Sequence, residues 1–104
     1  HKLFDDHNCF DWCYTNSNAM IVTMALLYGE GNLGKSMCLA VQAAFDTDCN
    51  GATVGSIVGM MTGFKGIEDR WYVPFQGKVA TSIADFPVAD VDDLTERTMK
   101  FACV

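Results

Sequence analysis

Apolar residues fill every position from Ala19 to Tyr28 except Thr23. Thr15, Asn16, Ser17 and Asn18 precede them, all good N-cap types. Gly29 and Gly31 follow and stop a helix. The pattern predicts a first helix that is apolar on nearly every face and therefore buried. A second helix is expected from Asn32 or Leu33 through Phe45. Lys35 and Gln42 share its wet face, while Met37, Leu39, Ala40, Val41 and Ala44 fill much of the rest. A third is expected from about Asn50 to Phe64, with Val54, Ile57, Val58 and Met61 as its apolar contacts. Gly51, Gly55, Gly59 and Gly63 recur at every fourth position, on one stripe of that helix. Each glycine costs up to ~1 kcal/mol against alanine in a helix interior. Such a stripe is expected where another helix backbone comes close, with the Ala19–Tyr28 helix as the partner of Gly55 and Gly59.

The pattern changes after Phe64. Gly66, Pro74, Gly77 and Pro87 punctuate residues 65–89, which read as irregular. Trp71, Tyr72 and Phe75 are expected to pack over the helices. Val79 to Ile83 alternates like a short strand without an evident partner. A last helix is expected from about Val91 to Ala102, with Asp90 as its N-cap and Asp92 and Asp93 in its first turn. Residues 1–14 read as an entry loop or a short turn of helix. The methionines Met20, Met24, Met37, Met60 and Met61 read as core filler. The expected fold is all-α, a small bundle of about four helices in a single domain spanning 1–104.

Composition narrows the function. The 104 residues are half apolar, enough for a modest core. Thirteen acidic residues against seven basic give a net charge of -6, which excludes a nucleic-acid partner because phosphate binding needs a basic face. Asp85, Asp90, Asp92, Asp93 and Glu96 crowd the end of the chain and read as a solvated helix start. Five cysteines, Cys9, Cys13, Cys38, Cys49 and Cys103, are an odd and irregular set. A reduced, cytoplasmic protein is expected. No signal peptide is visible, and the Ala19–Tyr28 stretch is too short for a bilayer, so no membrane partner is expected.

The candidate chemistry lies in Phe45-Asp46-Thr47-Asp48-Cys49-Asn50-Gly51. Two carboxylates one residue apart supply clustered oxygen donors to a hard cation. Asp46 is expected to end the second helix, where carbonyl dipoles concentrate negative charge that a cation would relieve. Three readings compete. Asp46, Asp48, Asn50 and Gly51 match positions 1, 3, 5 and 6 of an EF-hand loop, but position 12 is Ile57 instead of a bidentate Glu. Alternatively Asp48 or Asn50 caps the third helix and Asp46 is merely solvated. In the third reading the turn is half of a metal site whose other ligands lie elsewhere.

The segment Ala40 to Gly63, with its D-T-D-C-N-G centre, strongly resembles the carboxy-terminal signature of the ADP-ribosylglycohydrolase superfamily. Asn18 to Gly29 with Gly31 to Ser36 is similar to the two-helix approach to that signature. Ile83-Ala84-Asp85 and Asp93 to Thr98 are similar to its closing helix region. The resemblance implies an all-α fold and a two-metal centre, usually Mg²⁺. It implies an enzyme that cleaves the bond joining ADP-ribose to a protein side chain or small acceptor, with an ADP-ribosylated substrate as partner. It carries metal ligation over to Asp46 and Asp48. The next residue is commonly a Thr or Ser whose hydroxyl is a further ligand; here it is Cys49, and a thiol suits a hard cation poorly. Many members place two glycines before the turn, where this chain has Ala44-Phe45. The family's Gly-Asp element and its Ser/Thr-Asp-Asp cluster have no counterpart here, since Asp5-Asp6 and Asp92-Asp93 flank the signature on the wrong sides.

The chain is therefore expected to be a carboxy-terminal portion or truncated relative of such a hydrolase, carrying half of a dinuclear site, weak for Mg²⁺ and inactive alone. The competing expectation is a non-catalytic scaffold or binding protein that forms a homo-oligomer. His7, Cys9 and Cys13 make a poor zinc pattern without a fourth ligand. A Cys-His nucleophile pair lacks an activating third group. Trp71 and Tyr72 read as lid packing or as a stacking surface for adenine.

Overall fold

The computed structural model describes residues 11–102. The entry loop expected at 1–14 lies mostly outside them. Their order is α1 (Thr15–Gly29), α2 (Leu33–Gln42), α3 (Thr47–Thr62), α4 (Asp69–Tyr72), β1 (Lys78–Ile83), β2 (Phe86–Asp90) and α5 (Val91–Ala102), with 3₁₀ turns at Phe64–Gly66 and Val73–Phe75. The fold is mostly helical, as expected, with a small hairpin added. Two compact units meet in sequence at Ile67 and Glu68. Among the described residues no helix is long and apolar enough to cross a membrane.

In the first unit α1, α2 and α3 pack against one another. Each contributes one narrow stripe to the core. On α1 it is Ser17, Ile21, Ala25 and Gly29, at the i, i+4 spacing of a single helix face. On α2 it is Leu33, Ser36 and Ala40 with Gly34, and on α3 Asn50, Gly51, Val54 and Val58. Small residues dominate, so the helices approach closely. A Cβ built on Gly29 would lie 1.8 Å from Ser36 Oγ and 2.9 Å from Ser36 Cα. The shortest corresponding distances at Gly51, Gly55, Gly59 and Gly66 are all longer.

Several expectations need correction. The first helix is not buried all round: Met20 is 58% exposed and Leu27 71%, because one stripe suffices to meet two neighbours. Met60 and Met61 are likewise exposed and do not fill the core. The glycine stripe of α3 faces α2 instead of α1. A Cβ at Gly51 would meet Val41 at 3.2 Å and one at Gly55 would meet the Met37 sulfur at 3.2 Å. Gly59 has only Ile67 Cδ1, at 4.0 Å, and Gly63 is the C-cap with φ 66°. The stripe therefore has a packing reason at its first half alone.

The second helix stops at Gln42, three residues early, because Ala44 and Phe45 adopt left-handed backbone with φ 64° and 60°. The third starts at Thr47, three residues early, because Asp46 caps it.

In the second unit the strand at Lys78–Ile83 does have a partner. It pairs antiparallel with Phe86–Asp90, with Val79 opposite Ala89 and Ala80 opposite Val88. Pro87 and the irregular register between Ala80 and Ile83 hide this hairpin from a pattern search. Thr81 Oγ1 donates to the Phe86 carbonyl and accepts from the Ile83 N–H, bridging the irregularity. A fifth, four-residue helix occupies part of the segment read as irregular. Asp90 caps α5 as expected, accepting from the N–H groups of Asp92 at 3.0 Å and Asp93 at 3.3 Å. Ala89 is the one buried residue among those described in this unit, and Phe75 is 63% exposed, against the packing role expected of it.

Candidate functional site

The carboxylate turn joins α2 to α3. Its four connecting residues, 43–46, reverse the chain through the left-handed pair Ala44-Phe45. Left-handed backbone costs an L-residue about 1–2 kcal/mol, so the surrounding contacts must hold this pair in place.

Asp46 comes next, half-buried, with its Oδ1 accepting from the Cys49 N–H at 3.3 Å. It is therefore at the positive end of the α3 dipole and not at the negative end of α2. The expected electrostatic conflict at this residue does not arise, and no cation is needed to relieve it. The proposed caps Asp48 and Asn50 lie inside α3, Asp48 exposed in its first turn and Asn50 buried.

Asn18, on α1, holds the turn from the other side. Its Oδ1 accepts from the Asp46 N–H at 3.3 Å and from Asn50 Nδ2 at 2.7 Å. Its Nδ2 donates to the carbonyls of Trp12 at 2.9 Å and Tyr14 at 3.2 Å. All the hydrogen-bonding capacity of one amide is thus used.

Cys49 is exposed at the same helix start. Hydrogen bonding to Asp46 and then the charge of that carboxylate push its thiol above the ordinary range, helped by partial desolvation and the Asp48 charge. A metal-bound cysteine must be a thiolate, so its neighbours disfavour the form that would ligate. Among the described residues no group of three or more His, Cys, Asp or Glu side chains could hold a metal ion. Asp46 and Asp48 are the oxygen donors a hard cation requires, and Cys49 is not. The EF-hand reading fails locally, because α3 begins inside the would-be loop. Of the suggested zinc ligands, Cys13 is exposed, while His7 and Cys9 lie outside the described residues.

Helix, left-handed turn, capping aspartate and second aspartate form one contiguous module, and its sequence can be compared with known families. A family model for ADP-ribosylglycohydrolase matches residues 6–101. The chain belongs to the ADP-ribosylglycohydrolase family. Comparison with curated proteins and with solved structures yields no significant match. In this member of the family, Ala44 and Phe45 are the left-handed pair, the two positions that the resemblance sets against a pair of glycines. The backbone now supplies the reason, since glycine takes a positive φ without steric penalty.

Sequence reasoning missed Asn18 as part of this site, reading it as a cap candidate for α1 and as the first residue of the approach to the signature; it lies inside α1, whose N-cap is Tyr14. No linear pattern marks it, because it lies 28 residues from Asp46 and 32 from Asn50. Trp71 and Tyr72 engage neighbours in their own unit. The Arg70 guanidinium lies over the Trp71 ring, 5.3 Å from its centroid, and the Tyr72 hydroxyl donates to Asp69 at 2.7 Å.

Proposed function

We propose that this chain contributes the D-T-D half of a dinuclear Mg²⁺ site to an ADP-ribosyl-acceptor hydrolase, as a carboxy-terminal portion or truncated relative of the full family domain. Asp46 and Asp48 are the ligands in this reading, and the remaining donors come from outside the described residues. The substrate is an ADP-ribosylated acceptor, and the reaction is displacement by water at the anomeric carbon. The carrying observation is the family match over 6–101 together with two carboxylates at the start of α3. Two carboxylates leave most of a cation's coordination to water, so binding by the chain alone is weak.

Paramagnetic Mn²⁺ titration followed by amide NMR tests this reading. Broadening should appear first at residues 46–49, ahead of the competing acidic start of α5, and Asp46→Asn or Asp48→Asn should abolish it. Broadening that begins at Asp90–Asp93, or survives both substitutions, refutes the assignment. The chain alone should not release ADP-ribose from ADP-ribosylated arginine.

One observation favours the scaffold reading alongside. Ala19, Met20, Thr23, Met24, Leu27 and Tyr28 line an open, mainly apolar groove on α1. Soluble monomers rarely leave such faces uncovered, and a two-fold dimer is the simplest closure. Sedimentation at micromolar concentration should show no monomer, and a monodisperse monomer refutes the homo-oligomer.

A further inference from the structure

We infer that Asn18 is the positioning residue of the carboxylate turn. It fixes where Asp46 and Asp48 stand by clamping the strained link between α2 and α3 onto α1. This rests on the reading of Asp46 and Asp48 as the functional pair. The geometry is specific. Asn18 Oδ1 takes both the Asp46 N–H, at the first residue of the D-T-D run, and the Asn50 side-chain amide, two residues beyond its end. The clamp therefore grips the turn at two points, one on the backbone and one on a side chain.

Asn50 is 3% exposed, so its amide is buried and needs this partner. The two donors of Asn18 are in turn held by the Trp12 and Tyr14 carbonyls. Turning the Asn18 amide over would set donor against donor and oxygen against oxygen at all four contacts. The side chain thus has one orientation, and its oxygen faces the turn. The bond reaches Asp46 directly after Ala44 and Phe45, both left-handed. Such a pair persists only where the surrounding structure over-determines it, and the Asn18 bond to Asp46 is one of the contacts that do so. Reversion to ordinary backbone would swing Asp46 out of its capping position and separate it from Asp48.

Amide hydrogen exchange with Asn18→Ala and Asn50→Ala in the full chain tests the inference. In Asn18→Ala the Asp46 amide should lose roughly 5- to 10-fold in protection, the worth of about one hydrogen bond. Val58, in the interior of α3, should keep its protection. Asn50→Ala removes the second grip but leaves the Asn18 bond to the Asp46 N–H, so Asp46 should keep most of its protection. It carries the test if Asn18→Ala does not fold. The Mn²⁺ concentration that broadens residues 46–49 should rise ~10-fold in Asn18→Ala, the scale seen when the partners of a metal ligand are removed.

Unchanged Asp46 protection in Asn18→Ala overturns the inference, as does an equal loss at Asp46 and Val58, which marks a merely structural residue. Loss of Asp46 protection in Asn50→Ala, with Val58 unchanged, overturns it too. Absence of Mn²⁺ broadening at 46–49 in the unmodified chain refutes the metal reading instead, and the exchange comparison then decides the positioning role by itself.

Discussion

Replacing Gly29 by alanine adds one methyl group where α1 packs against Ser36 of α2. That methyl would sit 1.8 Å from Ser36 Oγ, 2.7 Å from its Cβ and 2.9 Å from its Cα. Ordinary carbon contacts begin near 3.5 Å. The hydroxyl alone can rotate aside, but Ser36 Cα belongs to the backbone of α2, so one helix must shift. Overpacking of this kind costs about 1–3 kcal/mol. Against it stands the helix preference for alanine over glycine, at most ~1 kcal/mol and smaller at the last helical residue. The net expectation is destabilisation by about 1–2 kcal/mol, a fall in Tm of about 4–8 °C for each kcal/mol in a domain near this size.

Gly59→Ala is the internal control, because a methyl there meets only Ile67 Cδ1 at 4.0 Å. It should stabilise by up to ~1 kcal/mol through helix preference alone. Thermal melts followed by circular dichroism measure both. Ser36→Gly should partly rescue Gly29→Ala, with a favourable coupling of at least ~0.5 kcal/mol in the double-mutant cycle. A Gly29→Ala protein that melts at or above the parent temperature, or Gly59→Ala destabilising as much as Gly29→Ala, would refute this packing.

Ala44→Gly should stabilise the fold by about 0.5–1 kcal/mol, since relief of a positive φ outweighs the added freedom of the unfolded chain; denaturant melts giving equal or lower stability would contradict the left-handed assignment. Cys49 should alkylate slowly at mildly alkaline pH, because its raised pKa keeps the unreactive thiol form to higher pH. Asp46→Asn removes the main cause, so the pH profile of iodoacetamide labelling at Cys49, read by mass spectrometry, should move down; an unmoved profile would mean that Asp46 does not act on the thiol. Asp90→Ala removes the cap of α5 and should cost about 1 kcal/mol, read as faster amide exchange at Asp92 and Asp93; unchanged exchange there would show that the cap carries no stability.

The local signals in the chain were enough for the four long helices, though not for all their ends, and for the carboxylate pair. A dense apolar run ended by glycines specifies α1, although the expected caps Thr15 to Asn18 lie inside it and Tyr14 stands at its N-cap without a side-chain bond; Asp90 before Val91 specifies the start of α5, because capping acts within the first turn. The D-T-D run is legible for the same reason, since its two oxygen donors are adjacent in sequence.

What those donors experience was not legible. Placing Asp46 at the end of α2 instead of the start of α3 reversed the sign of its dipole environment, and only the left-handed Ala44-Phe45 link decides between the two. Neither residue type announces a positive φ. Tertiary packing also chose the partner of the glycine stripe: helix periodicity places Gly51 and Gly55 on one face but does not say which neighbour that face meets. The hairpin was masked by Pro87 and by the register irregularity, which are properties of a pair of strands and of neither alone. Asn18 illustrates the limit best. Two of its four side-chain hydrogen bonds tie α1 to residues about 30 positions away, and a side chain that joins distant segments acquires its meaning only when folding brings them together.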